Sequence, residues 1–111
     1  MLIVAGGYWI STRTDRTEVL DYSRKTAWVQ VAALPSARSN IVGVTVGDVF
    51  YVTGGIISGN EDTFPRIRNT IVSYDPESDS WQEAGITPTS WTSHAGTAVP
   101  LDAMKIFCPE L

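Results

Sequence analysis

The chain repeats itself, and a repeat of several tens of residues decides an architecture before any single element is assigned. Leu2-Ile3-Val4-Ala5-Gly6-Gly7 returns as Phe50-Tyr51-Val52-Thr53-Gly54-Gly55, an offset of 48 residues. Val19-Leu20-Asp21 followed by Trp28 returns as Ser73-Tyr74-Asp75 followed by Trp81, where the tryptophan offset has grown to 53. The growth falls in the stretch after Gly55, which is longer than the one after Gly7, and insertions inside repeats map to exposed loops. A third beginning sets Pro88, Gly96 and Val99 at 53 residues beyond Pro35, Gly43 and Val46. One whole repeat, 35–87, is flanked by partial ones at 1–34 and 88–111.

The whole repeat reads as four short strands at 40–46, 49–53, 69–74 and 81–84, rich in β-branched and aromatic residues. Gly47-Asp48 suits a tight hairpin turn that needs positive φ, and Asp75-Pro76-Glu77-Ser78-Asp79-Ser80 is a turn cluster whose acidic and hydroxyl groups bond nearby backbone. The third partial repeat is expected to open with a strand at 93–99. No stretch shows a sustained helical period. With 111 residues and 43% hydrophobic content the chain has room for one small core, and four antiparallel strands per unit of about 50 residues describe a propeller blade. The expected class is all-β.

These residues resemble a kelch repeat, whose pattern is an apolar strand ending in Gly-Gly, a Tyr in the third strand, Asp and often Pro in the turn, and a Trp opening the fourth. Tyr51-Val52-Thr53-Gly54-Gly55, Tyr74-Asp75-Pro76 and Trp81 match it fully. The first repeat keeps Gly6-Gly7 and Trp28 but has Leu20 at the Tyr position, and Met104-Lys105-Ile106-Phe107-Cys108-Pro109 in the third has no Gly-Gly. The resemblance implies antiparallel four-stranded kelch blades, an incomplete β-propeller of about two blades plus a partial third. It also implies that the paired glycines serve close backbone approach and that the Trp and Tyr residues fill the space between blades.

Charge and chemistry exclude several functions. Eight Lys+Arg against twelve Asp+Glu give a net charge of −4, and no basic cluster tracks a phosphate backbone, so nucleic acid is not an expected partner. The apolar opening meets Gly6-Gly7 at once, too short for a signal or membrane segment, so no membrane partner is expected either. Cys108, the single cysteine, allows no intrachain disulfide and fits a reducing, cytoplasmic setting. His94 is the sole histidine and has no partner at ligand spacing, so no metal or other cofactor is expected. No Gly-x-Ser-x-Gly motif supplies a nucleophile, and Glu61-Asp62 reads as loop solvation rather than an acid/base pair.

The arginines carry the binding hypothesis. Arg13 and Arg16 follow the first Gly-Gly, Arg66 and Arg68 follow the second, and Arg38 lies in the connection into the whole repeat. In a propeller these connections open on one face, where planar guanidinium donors suit the carboxylates and carbonyls of an acidic peptide. The bland alternative is that Arg38 braces its own loop, as an arginine near this position does in kelch repeats, and that the others form a solvated rim. Trp9 and Trp91 border the same connections as candidate anchors, with packing between blades as their structural alternative. The function expected is a noncatalytic protein or peptide interaction module, not an enzyme. The alternative is a fragment of a propeller enzyme or glycan-binding protein whose active residues lie on other blades. Closed propellers of 4 to 8 blades need roughly 200 to 400 residues. A truncated product is therefore expected, or, if the chain is complete, self-association in which 93–99 completes the first blade of a neighbouring copy.

Overall fold

Short β-branched runs bounded by Gly, Asp and Pro become strands throughout the chain. A computed structural model describes residues 1–23, 27–57, 66–102, 105 and 110. The strands are β1 (Leu2–Ala5), β2 (Tyr8–Trp9), β3 (Thr12–Arg13), β4 (Thr17–Leu20) and β5 (Val29–Val31) in the first unit. The second contains β6 (Arg38–Ser39), β7 (Val42–Val46), β8 (Val49–Thr53), β9 (Ile56–Ile57), β10 (Arg66–Ile67), β11 (Thr70–Asp75) and β12 (Ser80–Ile86). The whole repeat forms the expected antiparallel four-stranded sheet, in the order β12-β11-β8-β7. The first unit forms three strands of the same pattern, in the order β1-β4-β5.

Three features depart from the sequence reading. Asn40 takes φ +58 and turns the chain, so the strand expected over 40–46 starts at Val42. The strand expected at 93–99 is absent: Ser93 repeats the turn with φ +52, and the following residues have no sheet partner among the described residues. A strand exists through the ladder it joins, and β-branched composition alone does not supply one. The two loops after Gly-Gly begin and end as short hairpin pairs, β2 with β3 and β9 with β10, rather than as open loops. The insertion after Ile57 and the Met104–Pro109 stretch lie outside the described residues except Lys105, and Leu101 and Asp102 have helical backbone.

The core lies between the two units. Leu34 of the first unit packs with Val52 and Val72 of the second, with Ala5, Ile41, Phe50 and Trp81 around them. Trp81 meets Phe50 edge-on at 6.2 Å between centroids and Tyr74 at 5.2 Å. Its indole Nε1 donates across the seam to the Ala32 carbonyl at 2.9 Å. Asp79 completes the grip, since its Oδ1 accepts the Ala32 N–H at 2.8 Å and the Tyr74 hydroxyl at 2.9 Å. Both backbone polar groups of the half-buried Ala32 are thereby paired across the seam. The paired glycines behave as expected for close approach: Gly54 has φ +70, and a Cβ there would stand 2.7 Å from the Trp91 carbonyl oxygen.

Replacing Trp81 with Ala removes the largest side chain of this seam and is expected to cost about 3–5 kcal/mol, whereas Trp81→Phe loses chiefly the N–H bond, about 1 kcal/mol. Chemical denaturation checks both, and a midpoint unchanged in Trp81→Ala contradicts the seam. Burial, reinforced by the bond to Asp79, pushes the Tyr74 hydroxyl from 10.0 up to about 12. The unfolded chain then loses that proton first, so this stabilisation is complete below pH 10 and is lost as pH rises towards about 12. Tyr74→Phe should remove that part of the alkaline decline, measured by denaturation at pH values across this window.

Candidate functional site

The connection β6 runs between the two units and organises the arginines. On one side the Arg38 backbone joins the first unit, its N–H donating to Thr14 O at 3.2 Å and its carbonyl accepting from Gly7 N at 2.7 Å. On the other side β6 pairs with β9. The Arg38 side chain is buried, with 4% of the residue exposed. Its Nη1 donates to the carbonyls of Thr70 at 3.2 Å and Gly54 at 3.4 Å, its Nη2 to Thr70 Oγ1 at 2.8 Å, and its Nε to Ser36 Oγ at 3.2 Å. Burial lowers its pKa, and neighbouring Arg68 adds to the effect while Glu83 opposes it. A guanidinium committed to these acceptors braces its connection onto the second unit: it is the loop brace anticipated from sequence, reaching also to Gly54 and Thr70, while the Arg38 backbone holds the first.

The remaining arginines differ in what they hold. Arg13 donates through Nε to Ser39 Oγ at 3.1 Å and lies over the Tyr8 ring, with Cζ 5.7 Å from its centroid. Arg16 pairs with Glu18 at 2.6 Å on the exposed side of the first unit, an arrangement that contributes little stability. Arg68 is fixed by its backbone N–H to Gly55 O at 2.9 Å, but its side chain has no hydrogen bond or ion pair among the described residues. Arg66 is placed in β10 opposite Ile57, and Trp9 in β2 opposite Thr12. Thus Arg13, Arg38 and Arg68 gather around β6, while Arg16 lies to one side, in a cleft of about 590 Å³ lined by Val4, Gly6, Arg13, Thr14 and Glu18 among others.

Trp91 stands apart from this group. It is 51% exposed, and its carbonyl accepts the Gly55 N–H at 2.8 Å. His94, 6.4 Å from it, packs over Gly54 as Ile41 packs over Gly6. Glu61, Asp62 and Cys108 lie outside the described residues. Among the described residues no three His, Cys, Asp or Glu side chains are grouped to hold a metal ion, and no helix is long and apolar enough to cross a membrane. Sequence reasoning missed the tip of the β2–β3 hairpin, where Ile10 and Ser11 take φ +37 and +66 and Ile10 is 77% exposed. An isoleucine at positive φ is an uncommon turn residue, so no turn signal marks it. Thr70, which receives Arg38, was equally silent because a threonine in a strand reads only as a strand former.

A four-stranded antiparallel sheet packed through its face against a second sheet of the same order is the blade arrangement of a β-propeller. Residues 37–86 match the Kelch motif. It is 32% identical to human Kelch-like protein 30 over 98 residues, which cover 88% of this chain and 16% of that protein. It is 30% identical to an N-acetylneuraminate epimerase of Salmonella enteritidis over 71 residues, 62% of this chain and 18% of the epimerase. The solved structure of YjhT superposes with a TM-score of 0.68 at 23% identity, over 82% of this chain and 29% of that one, a likeness of fold. The chain therefore spans less than a fifth of the curated relatives described here.

Arg38→Ala strips the Thr70 and Gly54 carbonyls of a buried charged donor and should cost about 1.5–3 kcal/mol, with Arg38→Lys recovering only part because a point charge cannot reproduce the fork. Thermal unfolding of the two variants measures this, and full stability in Arg38→Ala would contradict the brace.

Proposed function

We propose that the chain is a noncatalytic interaction segment of a kelch propeller, which holds an acidic peptide or protein loop on the face where the connections after Gly-Gly meet β6. The observation that carries this reading is Arg68. Its guanidinium sits close enough to the buried Arg38 to disfavour that residue's charge, and it has no anionic partner among the described residues. A carboxylate arriving there would neutralise two neighbouring cations at once, and charge-assisted bonds to Arg are among the stronger polar contacts. The exposed Ile10 tip and the Tyr8–Arg13 stack lie on the adjoining hairpin and offer apolar surface beside the cations. The identity to an N-acetylneuraminate epimerase favours the second reading, a segment of a propeller enzyme acting on a sugar acid, in which Arg68 would hold the substrate carboxylate.

Charge reversal separates the readings from a solvated rim. Arg68→Glu and Arg66→Glu should each reduce binding of an acidic peptide panel by about tenfold or more while shifting stability by no more than about half a kcal/mol. Fluorescence anisotropy measures the first and denaturation the second. Peptide binding indifferent to both substitutions contradicts the proposal, and a spectral change with N-acetylneuraminate but none with peptides favours the enzyme reading.

A further inference from the structure

Two costs coincide at the tip of the β2–β3 hairpin. Tyr8 pairs with Arg13 and Trp9 with Thr12, so Ile10 and Ser11 form a two-residue loop, and both take positive φ, at +37 and +66. That is the pattern of a type I′ turn, whose usual residues are Asn and Gly because a Cβ in the left-handed region crowds the following carbonyl. A β-branched side chain is the least suited to it. Ile10 is also 77% exposed, so burial against the described residues does not offset the strain.

Elsewhere in the chain a positive φ on a residue other than glycine comes with bonds that hold the turn. Asp79 accepts from the Ala32 N–H and the Tyr74 hydroxyl. Asn40 donates through Nδ2 to Ser93 Oγ at 3.1 Å, and the Ser93 N–H donates back to Asn40 O at 3.2 Å. Among the described residues Ile10 alone combines a branched aliphatic side chain with such a backbone. Strain that no internal contact explains marks a residue retained for an external one. The hairpin carries this side chain on a fixed base. Thr14 N donates to Gly7 O at 3.0 Å, Arg38 N to Thr14 O at 3.2 Å and Arg13 Nε to Ser39 Oγ at 3.1 Å, which fastens the stem to β6. Arg13 lies over the Tyr8 ring at the root of the arm, and Arg68 stands beside Arg38 from the second unit.

We infer, on the reading of Arg68 as the carboxylate site, that Ile10 is the specificity-determining anchor of this face. Its ligand is an acidic peptide with a large aliphatic residue among the carboxylates, rather than a uniformly acidic one. Guanidinium groups hold any carboxylate and so select little among acidic peptides. An aliphatic group on a stiff arm does select, because contact with it removes apolar area from water only when the ligand presents a matching side chain. The type I′ turn is already formed when the ligand arrives, so association loses less conformational freedom than docking on an unstructured loop. The strain at Ile10 is then the cost of displaying an aliphatic side chain where Asn would fold better.

Fluorescence anisotropy on the 111-residue chain tests this with two labelled peptides of alternating Glu and Ser, one with a central Leu and a twin with Ser in that place. The Leu peptide is expected to bind about tenfold more tightly than its twin. Ile10→Asn should erase that advantage, leave the affinity for the twin unchanged and raise the unfolding midpoint, since Asn suits the left-handed turn. Ser11→Gly relaxes the same turn without touching the aliphatic group, so it should not lower the midpoint and should leave the Leu advantage intact. Equal affinities for the two peptides, an advantage that survives Ile10→Asn, or one lost as fully in Ser11→Gly each overturn the inference. A midpoint that fails to rise in Ile10→Asn overturns it as well, because the chain's own contacts would then be holding Ile10. In any of these cases, binding of the twin that is lost in Arg68→Glu leaves the acidic-peptide reading standing. Binding of neither peptide to the unsubstituted chain overturns both.

Discussion

One residue, Ala32, ties the two units together through its backbone. Its N–H goes to Asp79 and its carbonyl to Trp81, so a single point of the first unit's backbone is held by two residues from the turn and strand that close the second. The energetic weight comes from the apolar burial of Leu34, Val52 and Val72 behind it, because area removed from water outweighs the net gain of a hydrogen bond. The polar clamp fixes register: with Asp79 also accepting from Tyr74, the seam closes only when the turn at residues 76–79 is formed. Asp79 itself adopts φ +48, a conformation an aspartate tolerates better than most residues, and the seam holds it there.

The second tie is β6, which belongs to both units at once. Its backbone closes on Gly7 and Thr14 of the first, while its Arg38 side chain closes on Thr70 and Gly54 of the second. A glycine is needed where the two backbones meet, since a Cβ on Gly6 would stand 2.7 Å from the Arg38 carbonyl oxygen. The same strap places the candidate arginines. Arg13 and Arg68 flank it from either unit, so the candidate binding face is built at the joint rather than within either sheet.

The repeat made the sheets legible. Gly-Gly, Tyr74 and Trp81 marked the strands of the second unit because each is a residue type with one structural use at its position, and β8 runs over the residues expected. What escaped notice depends on partners. The strand expected at 93–99 is missing because its residues have no ladder to join among the described residues, and the division of the arginines into a brace, an ion pair and a cation with no partner among the described residues depends on which acceptors lie nearby in space. Arg38 and Arg68 are alike in sequence context, yet one faces Thr70 and the other has no partner among the described residues. Trp28 and Trp81 are likewise interchangeable in the pattern, and only the presence of a neighbouring sheet buries one more than the other.

The central claim is that the seam makes two sequence repeats one cooperative body. Native-state hydrogen exchange at the amides of Ala32, Gly7 and Val52 addresses it directly, since the first two are bonded across the joint and the third lies in the core. Equal opening free energies at all three, matching global unfolding, are the predicted result. Exchange at Ala32 and Gly7 with a much lower opening free energy than at Val52 would contradict the account, because it would mean that the units part while the second remains folded.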